Sequence, residues 1–85
     1  MKKYQILFAK QAVKDAKTLS EKELKKLQGI LDKMLCVNPY LGKKLLGEFL
    51  GNYSYRFNLK DRIVYSIDKK KGIVYIKRCR SHYGQ

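Results

Sequence analysis

Tryptophan is absent and proline occurs once, at Pro39. There is no Pro-, Ser- or Gly-rich tract, so neither a linker nor a disordered segment is expected. Two cysteines, Cys36 and Cys79, share no metal-ligand spacing. They are too few for a disulfide framework or a zinc site and are expected as small buried hydrophobes. The seven acidic residues are scattered. A metal-dependent nuclease needs clustered carboxylates, so no metal and no cofactor is expected. No apolar run approaches the ~20 residues of a membrane span. The opening Met1-Lys2-Lys3-Tyr4 leads to polar Lys10 without a signal-like apolar stretch. A cytoplasmic, reducing setting away from membranes is the expectation. Walker, G-x-G-x-x-G, zinc-finger and RRM signatures are missing as well.

What the chain has in excess is positive charge. Twenty Lys and Arg against seven Asp and Glu leave +13 on 85 residues. Self-repulsion of that size opposes compaction and points to a polyanionic partner, nucleic acid before membrane. Residues 56–85 carry nine of the basic residues and two of the acidic ones, so the C-terminal part is the denser. A chain this short makes one domain, residues 1–85, with a thin core.

Hydrophobic periodicity divides the chain in two. Residues 3–8 read as a strand. Ala9, Ala12, Val13 and Ala16 then recur at helical spacing, with Lys10, Lys14 and Lys17 opposite. Ser20 and Glu23 form a capping box for a second helix over 21–36, whose stripe is Leu24, Leu27, Ile30, Leu31, Met34 and Leu35. Asn38-Pro39 ends it. Residues 40–52 read as a loop. Three strands follow over 53–58, 62–68 and 73–79, the last two joined by a Lys69-Lys70-Lys71-Gly72 hairpin. The expected fold is α+β, β-α-α-β-β-β, with two N-terminal helices packed on an antiparallel sheet whose other face stays open. Tyr53, Tyr55, Tyr65 and Tyr75 stand at strand spacing and are expected mostly as packing.

The candidate site is metal-free. RNA supplies its own nucleophile, the 2′-OH. Cleavage needs a base for that proton, an acid for the departing 5′-oxygen, and positive charge on the pentacovalent phosphate. His82 is the single histidine and stands beside Tyr83, with Arg78 and Arg80 upstream and Arg56 and Arg62 on the preceding strands. Histidine suits acid–base work, arginine forks suit phosphate, and tyrosine can stack on a splayed base. The same residues would also serve a binding surface with no chemistry, and composition and spacing alone leave both readings open.

The stretches Gly51-Asn52-Tyr53-Ser54-Tyr55-Arg56, Arg62-Ile63-Val64-Tyr65 and Cys79-Arg80-Ser81-His82-Tyr83 resemble the RelE/ParE toxin superfamily, specifically its YoeB/Txe branch. The terminal C-R-x-H-Y together with R-I-V-Y at this spacing carries the resemblance. It implies a microbial-ribonuclease-type fold, a toxin of a type II toxin–antitoxin system that cleaves mRNA in the ribosomal A site beside 16S rRNA, and a cognate acidic antitoxin. By the same match, Arg62 would stabilise the transition state and His82 would be the general acid. Tyr83 would stack on or orient the substrate, and Arg56 matches a phosphate-contacting position; apart from that match, Lys44, Arg78 and Arg80 are further candidate phosphate contacts. The branch's usual base, a glutamate in a Pro-Glu-x-Leu-Lys context, is replaced here by Lys43 in Lys43-Lys44-Leu45-Leu46, so Lys43, Lys44 and Glu48 all remain candidates. Two alternatives stand beside this reading: a ParE-like gyrase inhibitor and a non-catalytic RNA-binding module. Monomer and homodimer both remain open.

Overall fold

The computed structural model describes residues 3–47 and 50–80. Strand β1 (Gln5–Phe8) leads into helix α1 (Lys10–Ala16) and helix α2 (Glu21–Ile30). The chain returns through strands β2 (Lys43–Lys44), β3 (Asn52–Arg56), β4 (Arg62–Asp68) and β5 (Ile73–Arg78). The five strands form one sheet in the order β1-β5-β4-β3-β2, an α+β fold with the helices on one face.

Two features differ from the sequence expectation. The sheet is mixed, because β1 lies parallel to β5, with Gln5 opposite Ile73 and Phe8 opposite Ile76. Strand direction depends on where the long connection through both helices sets the chain down, and no local pattern encodes that. The region expected to be all loop contains β2, which pairs antiparallel with β3 through Lys43–Ser54 and Lys44–Tyr53. A two-residue strand is too short to leave a periodic signal.

The capping box forms as expected. The Glu23 amide donates to Ser20 Oγ at 3.2 Å, and the Ser20 amide donates to Glu23 Oε1 at 2.9 Å. Beyond Ile30 the helix widens into a π-type turn, Leu31–Leu35, where the Cys36 amide donates to the Leu31 carbonyl at 2.9 Å. That register skips the Asp32 carbonyl, which instead accepts from the Cys36 thiol at 2.7 Å. Cys36 thus closes the turn with its side chain, and both cysteines are buried and unpaired.

The core is Leu27, Ile30, Leu31 and Leu35 from the helical segment, Ala12 from α1, and Ile63, Tyr65, Val74 and Ile76 from the sheet. Each fully buried aliphatic side chain contributes roughly 1.5–3 kcal/mol. The stripe is not wholly covered: Leu24 is 40% exposed and Phe8 39%. Together with Ile6, Ala16 and Leu31 they line an apolar groove of about 400 Å³ between β1 and the helices. So small a chain lacks the mass to cover every apolar residue.

Tyr65 ties the segment before β2 to the sheet. Its hydroxyl donates to the Pro39 carbonyl at 2.6 Å and accepts from the Gly42 amide at 3.0 Å. Its ring stacks on Tyr53, and Tyr53 meets Tyr40 edge-on. Burial pushes the Tyr65 phenol up to about 12, so it remains a donor at any working pH. Gly42 is required here for space. A Cβ would run into the Tyr65 hydroxyl and come within 2.8 Å of the Ser54 carbonyl. Gly42→Ala is therefore expected to destabilise the fold by about 2–3 kcal/mol, as overpacking does, and to displace the adjacent Lys43. Urea denaturation checks this; a midpoint equal to wild type would show that the segment gives way freely.

Candidate active site

Register sets three of the sequence-predicted residues, Lys43, Arg56 and Arg62, on one face of the sheet. In the β3–β4 ladder Arg56 stands directly opposite Arg62, and Ser54 opposite Val64. Lys43 of β2 stands opposite Ser54. Side chains alternate along a strand, and directly paired residues share a face. Tyr53, Tyr55, Ile63 and Tyr65 pack towards the helices, so Lys43, Arg56 and Arg62 occupy the other face, expected from the sequence to stay open but on which Ser54 and Val64 are buried. Lys44 pairs with Tyr53 and has the opposite parity. The register sets two guanidinium groups on neighbouring strands, a pairing suited to the oxygens of a phosphate. Lys43 and Arg56 are exposed and Arg62 is half-buried.

Arg78 and Arg80 make contacts across the fold. Arg78 Nε pairs with Asp15 at 2.8 Å, and its terminal nitrogen donates to the Arg80 carbonyl at 3.1 Å. Arg80 donates to the Thr18 carbonyl at 3.0 Å and approaches Asp61 at 3.6 Å. Their side chains keep 38% and 40% exposure, so each still presents part of its guanidinium to solvent. Val64 is the register partner of Arg78, which places the end of β5 in the same row as Ser54 and Lys43. His82, Tyr83 and Glu48 lie outside the described residues.

Asp15 and Asp61 were not foreseen as part of this region. Both are buried. Asp15 also accepts from Gln11 at 3.2 Å and from the Cys79 amide at 3.3 Å, and so clamps α1 onto the end of β5. Asp61 fixes the β3–β4 loop, where its amide donates to Asn58 Oδ1 at 2.7 Å and its carbonyl accepts from the Phe57 amide at 3.1 Å. The available signal was the rarity of acids in so basic a chain: one that is kept inside the fold has a basic partner. Burial pushes the Cys79 thiol up to about 11, and the Asp15 carboxylate adds to this, so the thiol stays protonated and donates to the Ala12 carbonyl at 3.4 Å. A nucleophilic role for it is disfavoured.

Burial raises the Asp15 pKa, but the hydrogen bonds from Arg78, Gln11 and the Cys79 amide outweigh it and hold the carboxyl below the usual range. A depressed folded-state pKa gives stability that is fully present above the unfolded Asp value. That stability is lost as pH falls through the folded value. Asp15→Ala is expected to cost about 2–3 kcal/mol at neutral pH, less than a fully buried pair because Arg78 is partly solvated. The difference from wild type should shrink at acid pH. Urea melts of both proteins from neutral pH to below the usual Asp range check this, and a pH-independent difference would contradict it.

No protein-family profile matches the chain, and no curated protein sequence does. Solved structures do. The YoeB dimer from Staphylococcus aureus is 32% identical over 95% of this chain and 99% of its own, with a TM-score of 0.79. The chain belongs to the RelE/ParE toxin superfamily. The toxin–antitoxin complex RelBE2 from Mycobacterium tuberculosis matches this RelE/ParE-type chain at 28% identity and TM-score 0.86, covering 100% of it and 97% of the matched chain. A heterotetrameric YoeB–YefM toxin–antitoxin complex from Staphylococcus aureus matches at 29% and 0.69, covering 94% and 98%. Among the described residues of this family member, no helix is long and apolar enough to cross a membrane.

Proposed function

We propose that this toxin-family chain is a metal-independent endoribonuclease that cleaves mRNA in the ribosomal A site. The observation that carries the reading is that Lys43, Arg56 and Arg62 share the sheet face away from the helices, with two arginines directly opposed. A scissile phosphate between the arginine forks accepts hydrogen bonds from both. The arrangement is strongest when charge builds on the pentacovalent phosphorus. The substrate 2′-oxygen attacks phosphorus and gives up its proton to a base. The 5′-oxygen leaves and takes a proton from His82, which yields a 2′,3′-cyclic phosphate and a 5′-hydroxyl. The register favours Lys43 over Lys44 as the residue approaching the 2′-OH, since Lys44 has the opposite parity. Glu48 stays a candidate base. Tyr83 orients the adjacent base.

An acidic antitoxin covers the basic face in the cell, and the apolar groove beside β1 offers its segment an anchor. Complexes of RelBE2 and YoeB–YefM with their antitoxins support this partner class. The test is primer-extension mapping of a reporter mRNA on translating ribosomes treated with the wild-type protein. Cuts in A-site codons support the endonuclease. Growth arrest with intact mRNA and trapped gyrase would assign the chain to the ParE-like inhibitors.

A further inference from the structure

The far end of the sheet carries a second basic feature that the catalytic reading does not use. Lys3, at the entry to β1, meets Lys69, Lys70 and Lys71 of the β4–β5 hairpin. With Tyr4, Gln5 and Gly72 they line a cleft of about 400 Å³. The cleft is built by the parallel β1–β5 pairing, where the Gln5 amide donates to the Gly72 carbonyl at 2.8 Å. Gly72 takes a positive φ of 67°, and the Lys71 amide donates to Asp68 Oδ1 at 3.0 Å, so the hairpin that presents these lysines is an ordered turn. All four lysines are exposed.

The cleft and Arg62 lie at opposite ends of β4. Its seven residues separate them by roughly 20 Å at ~3.3 Å per residue. One phosphate cannot reach both, and neither can a dinucleotide. The chemistry of the cleft also selects its ligand. Among the described residues, none of the large exposed hydrophobic side chains lines it, and half-buried Tyr4 is the aromatic it has, so a protein partner or a bilayer would find little apolar anchor there. Lysine is a point charge without the arginine fork, and suits a phosphate backbone bound without base readout.

We propose that the Lys3–Lys69–Lys70–Lys71 cleft is a second nucleic-acid site, which grips the phosphate backbone of a folded, double-helical RNA while the Arg56–Arg62 face holds the single strand to be cut. This rests on the RNA reading above but concerns binding alone. The site anchors the protein and sets its orientation, and adds nothing to the chemical step.

The experiment compares the full chain carrying Lys69→Gln, Lys70→Gln and Lys71→Gln with a control that loses equal charge on the helices, Lys14→Gln, Lys22→Gln and Lys25→Gln. The probes are a 20-base-pair RNA duplex and a single-stranded RNA tetranucleotide, each titrated across a series of KCl concentrations. For the duplex, the hairpin variant should lower the slope of log affinity against log salt by roughly three, about one per lysine. The helix control should keep the wild-type slope, and tetranucleotide binding should be unchanged by the hairpin variant. Equal slopes for the hairpin variant and the helix control would overturn the proposal, since net charge alone would then explain binding. An equal loss for duplex and tetranucleotide would also overturn it, by merging the cleft with the Arg62 face. Failure of the endonuclease reading would appear separately, as intact reporter mRNA with the duplex slope still dependent on the hairpin.

Discussion

His82→Ala is expected to lower the rate of mRNA cleavage on translating ribosomes by about 10²–10⁴-fold, the range that acid–base catalysis supplies. The departing 5′-oxygen is a poor leaving group without a proton, and His82 is the single imidazole in the chain. The substitution removes a donor and adds no bulk, so binding to ribosomes should persist. Single-turnover cleavage measured beside ribosome co-sedimentation separates the two effects. A variant that cuts within tenfold of wild type would remove His82 from the chemistry and leave it as a surface residue. Loss of binding in parallel with cleavage would mean that the side chain holds the complex and does not move a proton.

Arg62→Ala is expected to cost about 10²–10³ in the same rate, the usual loss when one preorganised donor to the transition-state charge is removed. The reason is geometric. Arg62 begins β4 directly opposite Arg56, and the pair faces away from the helices. A fall in rate far larger than the accompanying change in urea midpoint is a signature that a purely structural role does not produce. Arg62→Lys should recover little, because an ammonium lacks the planar fork. Full activity in Arg62→Ala would move the phosphate site elsewhere on the face.

The two outcomes together weigh chemistry against placement. Loss from His82→Ala alone would leave acid catalysis without the arginine pair. Loss from Arg62→Ala alone would describe a binder of phosphate whose proton transfers run through another group.

The sequence by itself determined the elements that rest on local physics. The capping box at Ser20 and Glu23, the strand Arg62–Asp68 and the start of the next at Ile73 were legible because hydrogen-bond partners three residues apart and period-two alternation lie within one window. The R-I-V-Y and C-R-x-H-Y stretches carried the resemblance to the toxin superfamily, while the charge excess pointed only to a polyanionic partner. Only the tertiary structure decided what depends on partners far apart in the chain. It turned β1 parallel to β5, made a strand of Lys43–Lys44 and separated Lys43 from Lys44 by face. It committed Arg78 and Arg80 to Asp15 and Asp61 across the fold. Strand direction, register and ion pairing between distant residues are set by the closure of the whole chain, and no local window of sequence contains both ends of such a contact.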